Sequence, residues 1–386
     1  MKIIQIMDTL GSSGGVNTFV FDLCEALKLN GHDVALIGIL SKGMNDNPDI
    51  ERLRKLGIQV ECVGAKSKKD AMFHNVGKLK KIIKSITKKD MAVCNLHLKL
   101  GVLMGVMATV GERNIYCVET YHNTYHYYHL QCWCCSPFIK KYICVSDEAK
   151  KEMKRRFFIS DTRIVAIPNG ISRKKIRNLS RIDFLDSNKE QKTQVVSVGR
   201  LSYEKNFKIV VEAMTECCSN HITYTLVGGG PQEEEIREIA RNNPYIKILG
   251  AQSRERTLQE LAKADIVIMP SLWEGRSILQ LEAMALDKPM ILSDVPGLRE
   301  PFKENPLAEN ENYRISKFGY LVKTKEKEVY CNVVEDFACH KERRTVIGDY
   351  IQNVSMQNDI SKTATKYYSV YIDILSHMRR NKKIRL

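Results

Sequence analysis

Two kinds of segment alternate along this chain: short runs that are apolar throughout, and longer stretches whose apolar positions recur at helical spacing. The run at residues 2–5 shows no period of two, as a strand covered on both faces requires. It is followed by a glycine loop and by helical spacing over residues 16–30, with Gly31 as the stop. Further apolar runs predict strands at 33–39, 58–63, 92–96, 114–118 and 141–145. Strands separated by helices predict a doubly wound, mostly parallel α/β sheet. Residues 172–192 are polar and lack a regular period, which marks them as a crossing between two domains. A second strand–helix series runs from Gln194 to about Leu321. Near the end, residues 363–378 place Tyr367, Val370, Tyr371, Ile374 and Leu375 on one helical face, and the tail RRNKKIRL is expected to fray.

The stretch 269–296 reads MPSLWEGRSILQLEAMALDKPMILSDVP. A short apolar strand at 265–269 ends in Pro270 and Ser271, and a loop then presents Glu274 and Gly275. Helical spacing begins near Ser277 and stops at about Leu286, before Pro289. The amides of Arg276, Ser277, Ile278 and Leu279 are then first-turn donors without intrahelical partners, an anion site backed by the helix dipole. Glu274 and Glu282 put a carboxylate at each end of it. That layout suits a ligand with hydroxyls on both sides of a phosphate, as in a nucleotide sugar. Upstream, VVSVGRLSYEKNFKIVVEAM at 195–214 sets Gly199, Arg200 and Lys205 after another apolar strand, where two cations can neutralise a diphosphate. YTLVGGGP at 224–231 opens a strand into glycines, Gly229 among them, where backbone can come close to a base or phosphate.

These three segments, in this order, resemble the nucleotide domain of glycosyltransferase family four, retaining enzymes of the GT-B fold. The resemblance takes in PNGI at 168–171, CVSDEAKKEM at 144–153, ETYHN at 119–123 and GSSGGVN at 11–17, and so covers Met1 to about Glu300. It implies two Rossmann-like doubly wound domains facing a cleft. Residues 1–175 would form the acceptor side, joined by a returning helix at 363–386, and residues 176–362 would bind the nucleotide sugar. Glu274 resembles the donor-sugar carboxylate, Glu282 the ribose ligand, and Arg200 and Lys205 the diphosphate pair. Gly14 and Gly15 lie in the loop that faces the diphosphate, and His122 matches a histidine that touches the donor sugar. Its neighbours include rival histidines, His126 and His129. Tyr121, Asn123, Tyr125 and His126 are the candidate acceptor platform. Asn169 and Gly170 read as structural. The family commonly has Gly-Phe-Gly after its first glutamate, whereas this chain has Gly275, Arg276 and Ser277, which adds a cation beside the sugar.

With 386 residues and 44% hydrophobic content, the chain can bury two cores. No apolar run approaches the roughly 20 residues that span a bilayer, and MKIIQIMDTL reads as a first strand rather than a signal peptide. The twelve cysteines are expected to be reduced. Cys132, Cys134 and Cys135 lack the second Cys-x-x-Cys pair of a zinc site and are expected to pack near Trp133. The net charge of +15 is uneven: residues 1–190 carry 31 Lys and Arg against 19 Asp and Glu. Within them KLKKIIKSITKK at 78–89 predicts a basic amphipathic helix, apolar face inward and lysines toward an anionic membrane. No nucleic-acid motif accompanies the charge.

The expectation is therefore a retaining glycosyltransferase. It would move a hexose or N-acetylhexosamine from a UDP-sugar, or a GDP-sugar, to a saccharide or lipid-linked saccharide acceptor. The acceptor would be a precursor of O-antigen, capsule or exopolysaccharide, at the inner face of the cytoplasmic membrane. No Asp-x-Asp occurs, so no metal cofactor is expected. A GT-B nucleotide-sugar epimerase, and a non-enzymatic lipid- or nucleic-acid-binding protein, are the alternatives.

Overall fold

The structure, a computed structural model, describes all residues except 12–13, 42–46, 123–128, 182–191, 220, 300–306, 324 and 384–386, and only the backbone of 129–131 and 377–383. The chain forms two compact units. One comprises Met1–Ile171 with Ile360–Leu386, and the other Ser172–Asp359.

In the first unit the strands are β1 (Lys2–Thr9), β2 (Asp33–Leu40), β3 (Gln59–Ala65), β4 (Ala92–His97), β5 (Ile115–Tyr121), β6 (Ile139–Cys144) and β7 (Ile164–Ala166). They make one parallel sheet in the order β3-β2-β1-β4-β5-β6-β7. Ile3, Ile4, Ile6 and Met7 have no exposed surface, since β1 is paired on both edges and covered on both faces. The helix Leu98–Thr109 lies close on this sheet because glycines face it. A Cβ on Gly101 would stand 3.0 Å from the Ile6 carbonyl oxygen, and one on Gly105 would stand 2.4 Å from Leu96 Cδ2. Asp8 Oδ1 accepts from the Gly101 amide at 2.8 Å and so satisfies a first-turn donor.

The C-terminal helix, Ile360–Lys383, returns to the first unit and packs on the helix Gly15–Leu29. Tyr367 and Tyr371 are wholly buried, and Phe19 meets the Tyr367 ring at 6.0 Å between centroids. Burying each such ring contributes about 1.5–3 kcal/mol, before the entropy of ordering it. The basic helix ends earlier than its sequence pattern suggests, at Val76–Thr87, because Lys88 and Lys89 both take left-handed backbone. Leu79, Ile83 and Ile86 face the core.

In the second unit the strands are β8 (Thr193–Val198), β9 (Ile222–Val227), β10 (Ile246–Gly250), β11 (Ile266–Met269), β12 (Met290–Ser293), β13 (Ala308–Glu309), β14 (Tyr313–Ser316) and β15 (Gly319–Val322). Their order is β10-β9-β8-β11-β12-β15-β14-β13, parallel except for the antiparallel edge β13–β14–β15. Each unit is thus doubly wound. The strand order reverses between β1 and β4 in the first and between β8 and β11 in the second, the switch points where such sheets bind ligands.

The stretch expected to be an irregular crossing is partly ordered: Arg173–Leu179 is a helix of the second unit, capped by Ser172. Its sequence, RKKIRNL, hides this because polar pairing replaces an apolar face. Ile176 alone in the helix is buried, while Arg173 and Arg177 both engage Asp287.

Candidate active site

The loop after β8 begins at Gly199, whose φ of +154° is costly for any other residue. Arg200 follows, exposed, and a short turn at Tyr203–Lys205 brings Lys205 round to Glu274 in the loop after β11. The ammonium of Lys205 donates to Glu274 Oε1, and Ser271 Oγ donates to the same oxygen at 3.0 Å. Backbone ties join the two loops: the Leu272 amide donates to Glu204 O at 2.9 Å, and Asn206 Nδ2 to Pro270 O at 3.3 Å. Lys205 is 27% and Glu274 11% exposed, so the pair sits where a ligand can still reach it.

Ser277 is the N-cap of the helix Ile278–Ala285 and accepts from the Gln280 amide at 3.4 Å. The helix therefore presents the amides of Ile278 and Leu279 at its N-terminus, beyond the buried Gly275, Arg276 and Ser277. Glu282, just over one turn in, is held by Arg254 at 3.0 Å. Arg254 opens the helix Arg254–Lys263 in the loop region after β10. Arg276, the departure from the family pattern, is 9% exposed and donates from Nη2 to Asn358 Oδ1 at 3.1 Å.

The glycines have packing roles that the sequence did not reveal. A Cβ on Gly228 would lie 1.8 Å from the Gly199 carbonyl oxygen, and one on Gly230 would lie 2.3 Å from that of Leu201. Both are required for one loop to touch another, whatever else passes nearby. The intervening Gly229 has more room, its nearest neighbours being Ala251 Cβ and Glu233 Oε2, each 3.3 Å from an added Cβ. Gly297, in the turn after β12, has the carbonyl oxygen of Glu274 at 2.1 Å from its would-be Cβ. The loops at the carboxyl ends of β8, β9, β11 and β12 thus interlock around Lys205 and Glu274.

In the first unit Gly14 caps the helix Gly15–Leu29 with φ of +109° and has open space around it. Asn17 Nδ2 ties the loop back to Gly11 O at 2.8 Å. His122 follows β5 directly, and its Nε2 lies 2.8 Å from Nδ1 of His97, the last residue of β4. Burial pushes the His122 imidazole down to about 3 and holds His97 well below the ordinary histidine value, the facing ring adding to the effect on His97. His122 is only partly exposed, and both rings are neutral at pH 7. Tyr121 does not offer a face for an acceptor sugar. It closes β5 at 2% exposure with its ring in the apolar core. Asn123, Tyr125 and His126 lie outside the described residues.

All twelve cysteines are free thiols. Cys132 and Cys135 are buried, but Trp133, expected to pack with them, is 79% exposed. Among the described residues no group of three or more His, Cys, Asp or Glu could hold a metal, and no helix is long and apolar enough to cross a membrane.

Two parallel α/β units of this kind, with the C-terminal helix returning to the first, define a GT-B protein. Anabaena HepE, solved in complex with UDP-glucose, superposes with a TM-score of 0.75 over 96% of this chain and 99% of its own, at 18% identity. Residues 13–175 match the model of Glycosyltransferase Family 4 and residues 181–354 that of Glycosyl transferases group 1, so the chain carries these two glycosyltransferase domains in that order. An uncharacterized glycosyltransferase of Methanocaldococcus jannaschii, MJ1607, is 29% identical over 49% of this chain and 55% of its own length. The Escherichia coli UDP-Gal:alpha-D-GlcNAc-diphosphoundecaprenol alpha-1,3-galactosyltransferase is 23% identical over 60% of each. The chain thus spans just over half the length of these curated relatives.

Proposed function

We propose that the protein is a retaining glycosyltransferase that moves a hexose or N-acetylhexosamine from a UDP-sugar to a saccharide acceptor. The observation that carries this reading is the Lys205–Glu274 pair at the switch point of the second sheet, beside a helix N-terminus. A cation, helix amides and a carboxylate placed together match the charge pattern of a sugar diphosphate: Lys205, Arg200 and the amides of Ile278 and Leu279 take the phosphates, and Glu274 takes the sugar hydroxyls. When the donor binds, its diphosphate competes for Lys205 and frees Glu274 to turn to the sugar. Glu282, steadied by Arg254, takes the ribose. His122 is assigned to the donor sugar by the family resemblance. As the bond to the anomeric carbon breaks, charge grows on the leaving diphosphate, and these fixed donors stabilise it without a metal ion. Attack on the same face, assisted by the leaving phosphate, preserves configuration.

The preference for UDP follows the neighbour solved with UDP-glucose. A lipid-linked acceptor, a precursor of O-antigen, capsule or exopolysaccharide, follows the galactosyltransferase named for a diphosphoundecaprenol substrate. Peripheral attachment to an anionic membrane would use Lys78, Lys81 and Lys84, exposed on the helix Val76–Thr87 whose opposite face is buried. Lys84 and Lys80 share Glu112, at 3.0 and 2.9 Å, which weakens that face by one charge.

The deciding experiment is a panel of nucleotide sugars scored for slow hydrolysis, with the shift in thermal midpoint caused by UDP or GDP measured alongside. One donor should be hydrolysed and its nucleotide should stabilise the fold. No hydrolysis and no shift would point to a non-enzymatic protein, and an epimerised sugar would make it an epimerase.

A further inference from the structure

Behind His122 lies a set of polar side chains sealed from water. Gln5, Asn95, His97 and Tyr371 have no exposed surface, and Thr120 is 1% exposed. Placing five polar groups in an apolar sheet costs free energy unless each finds a partner of the right sense. They come from β1, β4, β5 and the C-terminal helix, so no single turn or cap requires them.

The contacts have a direction. Thr120 Oγ1 donates to Asn95 Oδ1 at 3.0 Å, which leaves the Asn95 amide nitrogen to donate to Gln5 Oε1 at 2.9 Å. The other end of the Gln5 amide, Nε2, donates to the Tyr371 hydroxyl at 3.4 Å. Gln5 Oε1 is thereby fixed as an oxygen facing His97, whose Nε2 is 2.7 Å away and must carry the proton. Asn95 Nδ2 also approaches that ring nitrogen, at 3.2 Å, as two donors converging on one oxygen must. A neutral His97 protonated at Nε2 has only a lone pair at Nδ1, and Nδ1 is the atom 2.8 Å from His122 Nε2.

We infer that His97, set by Gln5 and Asn95, is a positioning residue that fixes His122 as the Nε2–H tautomer and leaves His122 Nδ1 as a hydrogen-bond acceptor. Phe19 completes the arrangement, its ring edge-on to His122 at 5.7 Å, so that the imidazole is held in rotation as well as in protonation. This rests on the reading in which His122 meets the donor sugar. It deepens that reading by assigning the sugar a hydroxyl that donates to Nδ1, not an oxygen that accepts from it.

The test is ¹⁵N-detected NMR of histidine-labelled protein, paired with steady-state kinetics of His97→Phe and His97→Gln. In the wild type, His122 should show a protonated Nε2 and an unprotonated Nδ1. His97→Phe should mix the two tautomers and lower kcat about tenfold or more with the donor KM little changed, as loss of a tautomer-fixing partner does. His97→Gln should keep both properties, since its amide can accept from His122 and donate to Gln5. If the Asn95 and Gln5 amides were both turned over, the proton on His122 would sit on Nδ1, and that result in the wild type overturns the inference even if no variant folds. An unchanged tautomer in His97→Phe overturns it as well. Full donor hydrolysis by His122→Ala would instead remove His122 from the chemistry, while the tautomer measurement still decides what His97 does.

Discussion

Lys205 and Glu274 neutralise one another across two loops, and the carboxylate oxygen they share also takes the Ser271 hydroxyl. Each charge is thus stored against the other in the absence of a donor. In the proposed mechanism, removing Lys205 would do two things: take a cation from the leaving diphosphate and leave Glu274 without its ion-pair partner beside Ser271. Lys205→Ala and Arg200→Ala should each lower turnover about a hundredfold, the scale of losing one transition-state electrostatic partner. Initial rates of donor hydrolysis check this, and near-normal rates in both variants would take them out of the site.

The two glutamates should separate in kinetics. The ribose of the donor is the same in ground and transition states, so Glu282→Gln should chiefly raise the donor KM. Arg254→Ala should have a phenotype of the same kind, because the guanidinium 3.0 Å away orients that carboxylate. Glu274→Gln should chiefly lower kcat, since the sugar assigned to it in the proposed mechanism changes geometry during the reaction. Exchanged phenotypes would reverse the assignment of ribose and sugar.

Turnover should survive excess EDTA, because Arg200, Lys205 and the helix amides supply the positive charge that a divalent ion would otherwise bring. Abolition by chelator, with recovery on adding magnesium or manganese, would refute this mechanism.

The buried histidines make stability depend on pH. An unfolded histidine takes up a proton near pH 6.5, whereas burial holds His97 well below that value and His122 at about 3. Their folded pKa values are depressed, so the stability they lend is complete above pH 6.5. It drains as the pH falls from there toward the folded values, by up to about 1.4 kcal/mol per pH unit for the sealed His97 and less for the partly exposed His122. Urea midpoints at pH 7.0 and pH 5.5 should show the loss, and His97→Gln should abolish its larger share. Equal slopes in the two proteins would show that His97 does not stay neutral in the fold.

The central parallel strands were legible because they are mostly apolar on both faces, which leaves β1 or β11 little to be other than interior. Their ends were less so: β1 continues to Thr9 and β6 starts at Ile139, since pairing with neighbours, not hydropathy, decides where a strand stops. The hairpin β13–β14–β15 was missed because its short strands share one edge and carry no sustained alternation. Among the candidate site residues, Glu274, Glu282, Arg200 and Lys205 stood out through the motifs around them and the family resemblance those motifs carry. Arg254 did not, being 28 positions from the glutamate it holds. His97 was hidden as the polar last letter of an apolar strand, and only the sheet places it against His122. That position, the carboxyl end of a central strand, is a signal a reader could have used. Gly228 and Gly230 were read for a ligand when their nearest neighbours are the carbonyls of Gly199 and Leu201.

That contact between glycine and carbonyl bears on how such a protein can be altered. A side chain at Gly228 would strike Gly199, one at Gly230 would strike Leu201, and one at Gly297 would strike Glu274. The donor loops are therefore inherited as a block, and a change in one requires an answering change in another. Recombination that exchanges residues 199–206 without 228–232 should give misfolded progeny more often than exchange of the whole span from β8 through the turn at Gly297. New sugar specificities would then arise by swapping entire domains, or by side-chain changes on an unmoved backbone.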